Sequence, residues 1–571
     1  MTGRLLRMML VFAAIAGLPK AWAAPDGSAY EIAGIVVSSV DDSPVPHAHL
    51  SAQSAGSGEP IERQRYRMGG PSAGIETDAD EHGRFVMKVP AAGRWRLMAS
   101  AIGYVTQAYN AHDEYSSAVV LTQTAPRIDL RFRLAPEAEI TGTVVDEAGE
   151  AVRNARITLE HRPAASPDRE QQEFRNRMVA QTDDRGVYDF SGLAPGDYRV
   201  VVDAKPWYST SLQPQLNNGQ AAQDSTLDVT YQRTWYPGVS DPAEAEVLSL
   251  KPAGVHRADI QLTPIPAVHV ILSAPAPAVS GSRRFPAFPV VERVGTGGIG
   301  MAAAIPNRSR DGQMDVGGLA PGLYRIRMAG PNQERESKLI EIRPGDTRTI
   351  DASSATSDMA NITIENEGSA AGRPAGVELR DVIHGTRFTS FSQDMFFRAR
   401  NERSSDAPSA GQGQQPVVLQ VPPGKYEVRL MDREFYLMGI SAKGAEITGR
   451  FVTVHSGDVT LKLRTATGRA SVHGIAAAAG KPIEGAMILL VPAGLDDPGS
   501  FASIVRDQTN TDGSFDLNNV VPGQYILVSI ANGEQIHWND AETLQRYLTQ
   551  GVPLELKPDA RVNEDVVVQQ P

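Results

Sequence analysis

The sequence predicts an all-β chain, a tandem array of about five Ig-like β-sandwiches followed by one short helix, and three observations predict it. A phrase recurs: Gly192-Leu193-Ala194-Pro195-Gly196-Asp197-Tyr198 returns as Gly318-Leu319-Ala320-Pro321-Gly322-Leu323-Tyr324. Looser copies stand at Val421-Pro422-Pro423-Gly424-Lys425-Tyr426 and Asn519-Val520-Val521-Pro522-Gly523-Gln524-Tyr525, and a degenerate one at Val89-Pro90-Ala91-Ala92-Gly93-Arg94-Trp95. The copies are about 100 residues apart, the length of one small sandwich, with a longer step from Gly196 to Gly322. Finally, 571 residues are too many for one core, and 52 Gly with 39 Pro supply the turns that an all-β array needs.

The chain opens on a processing signal: Arg4 and Arg7 are its basic region, Met8 to Leu18 its apolar run, and Ala21-Trp22-Ala23 its cleavage site. Residues 1–23 are therefore expected to be a signal peptide, since the run is too short for a membrane span. No later stretch approaches the roughly 18 apolar residues of a transmembrane helix. With no Cys, the chain has neither a disulfide framework nor a lipid-bearing cysteine, which suits a bacterial periplasm, cell surface or medium. The formal net charge is −12, and loss of Arg4, Arg7 and Lys20 with the leader takes it to about −15. Such acidity argues against nucleic acid as a partner.

Five repeats are expected over 29–135, 136–264, 265–355, 356–465 and 466–571. The second is the clearest. Ile140 to Val145 alternates as a strand, Glu147-Ala148-Gly149-Glu150 turns, and Ala155, Ile157 and Leu159 give the next strand an apolar face. Thr182-Asp183-Asp184-Arg185-Gly186 turns before Val187-Tyr188-Asp189-Phe190, and Pro195-Gly196 bends the chain into Tyr198 to Val202. The fifth repeat copies this order with Val472-His473-Gly474, Gly480 to Ala486, Thr511-Asp512-Gly513-Ser514-Phe515 and Pro522-Gly523-Gln524-Tyr525. The first keeps Gly34, Pro44 to Ala48 and Asp80-Glu81-His82-Gly83-Arg84-Phe85, whereas the third and fourth diverge at their starts. The repeats end alike: Leu248 to Lys251 leads to Ile260 and Leu262, and Leu554 to Lys557 leads to Val566 to Val568, each read as a closing hairpin. A helix is expected over 540–549, capped by Asn539 and ended by Gly551, with Leu544, Tyr547 and Leu548 as one apolar stripe. Ser404 to Gln415 reads as a loop, and Ser166 to Gln181 as either a helical excursion or a long hairpin.

This pattern resembles the carboxypeptidase regulatory-like domain family, a transthyretin-like or prealbumin-like sandwich akin to CnaB domains. The carriers are the G-x-V opening, the Pro-x-x-x-Ala strand, the T-D-x-x-G-x-F/Y hairpin and the L-x-P-G-x-Y bend. With the Trp235-Tyr236-Pro237-Gly238 segment, the chain looks like multi-copy exported proteins of the Acidobacteria type. The resemblance implies a fold and, by analogy, carbohydrate binding, and it implies no activity.

Enzymatic readings find little support in the sequence. No His is followed by Glu at the third position, as a zinc carboxypeptidase requires, and the peptidase domain itself is absent. His47-x-His49 places two imidazoles close on one strand face without an evident third ligand, so no metal and no cofactor are expected. Asp78 to Glu81 and Asp183-Asp184 are read as turn formers rather than calcium loops. Ile140 to Asp146 and Val472 to Ala476 lack the lysine of an isopeptide cross-link, and no G-x-S-x-G elbow occurs.

The extra length of the second repeat lies between Lys205 and Gly238 and holds Trp207, Tyr208, Tyr231, Trp235 and Tyr236. Aromatic rings stack on the apolar faces of sugars, and they also plug sheet edges and interfaces. These five are the candidate ligand-binding residues, with a polysaccharide or glycan as the expected partner. The chain is thus read as a non-catalytic, exported binding or spacer protein, with an envelope scaffold that engages other proteins as the alternative.

Overall fold

The computed structural model describes residues 30–571 except 56–73, 113–114, 163–175, 210–226, 274–287, 296–297, 305–306, 309–312, 330–337, 344–346, 352–358, 368–375, 383–385, 390–416, 432–434, 494–503 and 534–540. The expected leader and the loop from Ser404 to Gln415 lie outside the described residues. Strands dominate, and among the described residues the one α-helix is Ala541–Leu548.

The strands bury one face each. Phe85, Met87 and Val89 point inward from Arg84–Val89, and Ala138, Ile140 and Val144 from Ala138–Val145. Alternation of this kind suits antiparallel sheets with one face on a core and one in water.

Five times along the chain, an opening strand pairs antiparallel with a hairpin strand on one side and parallel with the last strand of its unit on the other. Tyr30–Ser38 pairs with Arg84–Val89 and Arg127–Leu134. Ala138–Val145 pairs with Val187–Leu193 and, in parallel, with Val255–Arg257 and Ile260–Gln261. Val268–Ser273 and Ala360–Glu367 repeat the pattern with Thr347–Asp351 and Gly457–Ala466 as their parallel partners. Ala470–Ala478 does so with Ser514–Val520, Arg561–Asn563 and Val566–Gln569.

This pairing corrects the expected closing hairpin. Leu248–Leu250 joins the second sheet through Gly196 to Tyr198, whereas Val255–Arg257 joins the first sheet. In the last unit Val552–Leu556 pairs with Gly523 to Leu527, and Arg561–Asn563 crosses to Ala470–Ala478. In the second unit the two closing strands therefore lie in opposite layers, and in the last unit Val566–Gln569 bridges both, pairing with Ala470–Ala478 and with Ser529 and Ile530. Gly in the opening strand permits the parallel partner to approach: a Cβ at Gly34, Gly142 or Gly474 would stand 2.1 Å from Leu130 O, 2.1 Å from Ala258 O or 1.8 Å from Glu564 O.

The recurrent phrase forms the same hydrogen bond in every copy. Tyr198, Tyr324, Tyr426 and Tyr525 donate through Oη to the carbonyls of Ala194, Ala320, Pro422 and Val521 at 2.7, 2.6, 2.6 and 2.7 Å. In the degenerate copy Trp95 Nε1 donates to Ala91 O at 3.2 Å, again four residues back. Each aromatic is thereby pinned across its own bend while its ring enters the core, in the manner of a tyrosine corner.

A second correspondence concerns His47. It lies in the turn before His49–Ser54 with φ 56°, as Asn154 (55°) and Gly485 (71°) do before their strands. Their amides donate to Asp80 O, Thr182 O and Gly485's counterpart Thr509 O. His47 thus fills a left-handed turn position and is not on the strand with His49, contrary to the shared-face expectation. His49 instead faces Asp78 across the sheet, Nδ1 to Oδ1 2.9 Å. The Asp turns act through backbone geometry: Asp80 Oδ1 accepts from His82 N and Arg84 N, and Asp183 Oδ1 from Arg185 N and Val187 N. Those backbone donors hold both carboxyls below the usual carboxylate range.

Asn176–Gln181 pairs antiparallel with Arg156–Arg162, so the described end of the charged segment is a hairpin strand. Leu544 and Tyr547 of the helix pack on Met487, Leu489, Val528 and Ile530 of the last unit.

Neighbouring units touch in sequence. Glu137 N donates to Gly103 O between the first and second, and Thr230 Oγ1 to Gly318 O between the second and third. Val294, Leu323 and Leu339 of the third join the apolar core of the fourth. Arg469 links Phe435 O to Asn519 O between the fourth and fifth. The first unit also contacts the fifth, through Ser117 to Val120 on one side and Gln508 to Thr511 on the other. The five units form a closed circuit of contacts rather than an open string.

Candidate functional site

The five aromatics of the second unit separate into distinct environments. Tyr231 and Trp235 are 5% and 7% exposed. Trp235 sits opposite Val201 in the sheet, and Tyr231 belongs to the unit's core while its strand pairs with Pro264–Pro266 at the start of the third unit. Tyr236 is half-buried, packs on the same core and meets the His256 ring edge-on at 6.3 Å. These three rings pack within the second unit, and Tyr231 also lies at its junction with the third.

Trp207 is different. The turn from Pro206 to Ser209 carries it, closed by Ser209 N to Pro206 O at 3.1 Å and tied down by Ser209 Oγ to Val229 O at 2.7 Å. Its side chain is 77% exposed, a large apolar face offered to water. Tyr208 stands beside it at 5.8 Å with the rings perpendicular, so the pair presents one stacking face and one edge.

Glu147, which the sequence suggested only as a turn residue, organises the polar side of this site. One carboxylate oxygen accepts from Tyr208 Oη in a short hydrogen bond, and the other accepts from Tyr231 Oη at 3.2 Å. Asp146 steadies the turn that holds Glu147 by accepting from Ala148 N and Glu150 N. Removal from water and the Glu147 carboxylate push the Tyr208 phenol up to about 12. Tyr231 is raised further for the same two reasons. The site is an exposed indole beside a carboxylate with two phenols directed at it. Its chemistry is apolar stacking plus hydrogen-bond acceptance.

The contact between the first and fifth units is a second candidate, which the sequence did not single out. Ala118 N donates to Asn510 Oδ1 (2.9 Å), Val120 N to Thr511 Oγ1 (2.9 Å) and Thr511 N back to Ala118 O (3.1 Å). Gln508 Nε2 donates to Asn110 O at 2.7 Å and Ser117 Oγ at 3.0 Å, and Gln508 Oε1 meets His112 Nδ1 at 3.0 Å. Arg94 forms a short ion pair with Asp516. Gly485 has Asn110 so close that a Cβ would fall 2.4 Å from Asn110 Nδ2.

Behind Arg94, Asp516 Oδ1 lies 2.6 Å from His473 Nδ1, and His473 Nε2 lies 3.1 Å from Ser471 Oγ. These are the distances of a serine–histidine–carboxylate relay. The same cluster also serves the contact between the first and fifth units. Ser471 N donates to Ala560 O, Ser471 and His473 stand two apart on the strand Ala470–Ala478, whose register shifts at Ser471, and Asp516 is shared with Arg94. Removal from water, with Arg94 and Arg561 nearby, holds the imidazole below its ordinary value. Its sequence signal was slight, since it needs the His473–Asp516 register.

Among the described residues no group of three or more His, Cys, Asp or Glu is placed to hold a metal ion, and no helix is long and apolar enough to cross a membrane.

Comparison with known proteins gives one family match: the carboxypeptidase regulatory-like domain, over residues 139–232, which includes the hairpin and corner of the second unit and reaches Tyr231. No curated protein matches the chain. Among solved structures, the Bacillus anthracis TIE protein is similar at 10% identity over 73% of this chain and 68% of its own, with a TM-score of 0.15. The minor pilin GBS52 of Streptococcus agalactiae matches at 10% identity over 44% of this chain and 100% of its own, TM-score 0.22. The shaft pilin SpaA of Lactobacillus rhamnosus GG matches at 10% identity over 42% and 97%, TM-score 0.17. Scores this low carry no argument about function or the arrangement of units.

Proposed function

We propose that this is a non-catalytic, exported multi-domain binding protein whose ligand is a carbohydrate held at the end of the second sandwich. The observation that carries the reading is Trp207: a 77% exposed indole standing beside a Tyr208–Glu147 pair. An indole face suits the apolar face of a pyranose, and a carboxylate that accepts hydrogen bonds suits its hydroxyls. With Tyr231 and Trp235 buried and Tyr236 packed on the core, Trp207 and Tyr208 remain of the five as contact residues, and Glu147 joins them. One stacking face gives weak binding, so a useful affinity would come from several sugar units or several copies.

The test is retention of the protein on insoluble polysaccharides and a glycan array. Trp207→Ala is expected to lower retention about tenfold or more, whereas Trp235→Phe should leave it within about twofold. Absence of retention of the unaltered protein on every glycan would overturn the reading.

A second reading, an envelope scaffold built on protein–protein contacts, is favoured by one observation: the polar contact between the first and fifth units, which is specific in hydrogen bonding and charge.

A further inference from the structure

We infer that the contact between the first and fifth units is an exchangeable clasp, and that its other partner is a second copy of this chain: the first unit of one copy can take the fifth unit of another in place of its own. This is independent of the carbohydrate reading.

Three features carry it. Each unit has its own apolar core, one built around Ile32, Leu50 and Phe132 and the other around Val472, Leu490 and Phe515, so neither needs the contact to fold. The contact is mainly polar: Ala118, Val120 and Ser117 against Thr509, Asn510 and Thr511, Arg94 on Asp516, Tyr109 on Glu484, and Arg506 over the Tyr115 ring at 4.6 Å. Separation would return these polar groups to water, unlike opening a shared core. The two faces are also different from one another, which makes the pairing heterologous. Such pairings close into rings or propagate head to tail according to which copy supplies the partner.

Charge decides the pairing. Arg94 enters a pocket in which Asp516 is its direct partner and Ser514 Oγ lies 3.4 Å away, while the Asp507 carboxyl behind it, bonded to Asp516 N at 2.7 Å, is pushed up to about 7 by burial. A glutamate at position 94 would face the Asp516 carboxylate, and an arginine at 516 would face Arg94. Like charges at such range are strongly disfavoured.

The native chain contains no Cys, so introduced thiols report unambiguously. One full-length variant carries Ala118→Cys with Arg94→Glu, and another carries Thr511→Cys with Asp516→Arg. Within either chain the clasp is repulsive, whereas between them it is complementary. Mixed at micromolar concentration with a short bismaleimide linker, they are expected to give cross-linked heterodimers roughly tenfold above the homodimer level of either alone. The same thiols without the charge changes should cross-link between copies less, since each chain then closes on itself at a higher effective concentration. Circular dichroism and thermal melting confirm that both variants are folded. Where either melts anomalously, Arg94→Gln with Asp516→Asn replaces the charge pair and is expected to abolish the excess. Folded variants that give no heterodimer above the homodimer level would overturn the exchange.

Discussion

Two junctions in this molecule use opposite physics. Between the third and fourth units, Val294 and Leu339 are buried in one continuous cluster with Ile362, Leu379, Val421 and Val459. Between the first and fifth, the contact is Ser117, Gln508, Thr509, Asn510 and an Arg94–Asp516 pair. Apolar burial is strong and non-directional, so the first junction holds its units together without specifying much. The second is directional, with little net stability but a defined partner. The molecule thus joins its third and fourth units by a shared core and closes its circuit by recognition.

The largest effect is expected where the core is shared. Leu339→Ala removes a buried side chain that serves two units and should cost about 2–5 kcal/mol, lowering the unfolding midpoint of both together. Denaturation followed by probes in each unit checks this. Two well-separated transitions, with only the third unit weakened, would show that the cluster is not one cooperative body.

Next in size is the corner. Tyr198→Phe leaves the ring but strands the carbonyl of Ala194, at a cost of about 1 kcal/mol, and the equivalent changes at Tyr426 and Tyr525 should cost similar amounts. The corner also predicts alkaline lability. Removal from water pushes the Tyr198 phenol up to about 12 from its ordinary 10.0. The fold therefore favours the protonated phenol: its contribution is fully present below pH 10 and is lost as pH rises toward 12. Equilibrium unfolding between pH 9 and 12 measures this loss, which Tyr198→Phe should reduce.

The smallest effect on stability is expected at the exposed site. Trp207→Ala should shift stability by less than about 0.5 kcal/mol while abolishing most glycan retention. A large loss of stability would mean that the indole packs the fold and would move it to the company of Trp235.

Much of the fold was legible in the sequence because its punctuation is local. The Pro-Gly-x-Tyr phrase specifies a bend and a hydrogen bond four residues back, and both return wherever the phrase does. Alternating apolar residues gave the buried faces but not the partners, which is why the closing strands read as a hairpin when they do not pair with each other. The candidate ligand residues were legible as a cluster of aromatics, yet composition does not separate a ring at a surface turn, Trp207, from one inside a sheet, Trp235. Glu147 was hidden because a turn residue and a site residue look alike in sequence. The clasp had no local signal: Val120 and Thr511 meet across 391 residues, and backbone atoms supply several of its bonds.

The closed circuit is the central claim, and one measurement tests it most directly. In the full-length chain carrying both Ala118→Cys and Thr511→Cys, dilution to nanomolar concentration favours reaction within a molecule. A short bismaleimide linker should then convert nearly all of the protein to an internally cross-linked monomer of faster electrophoretic mobility, with the yield independent of concentration. A folded double variant that remains uncross-linked at dilution, or that reacts only between molecules, would contradict the account and return the five units to an open string.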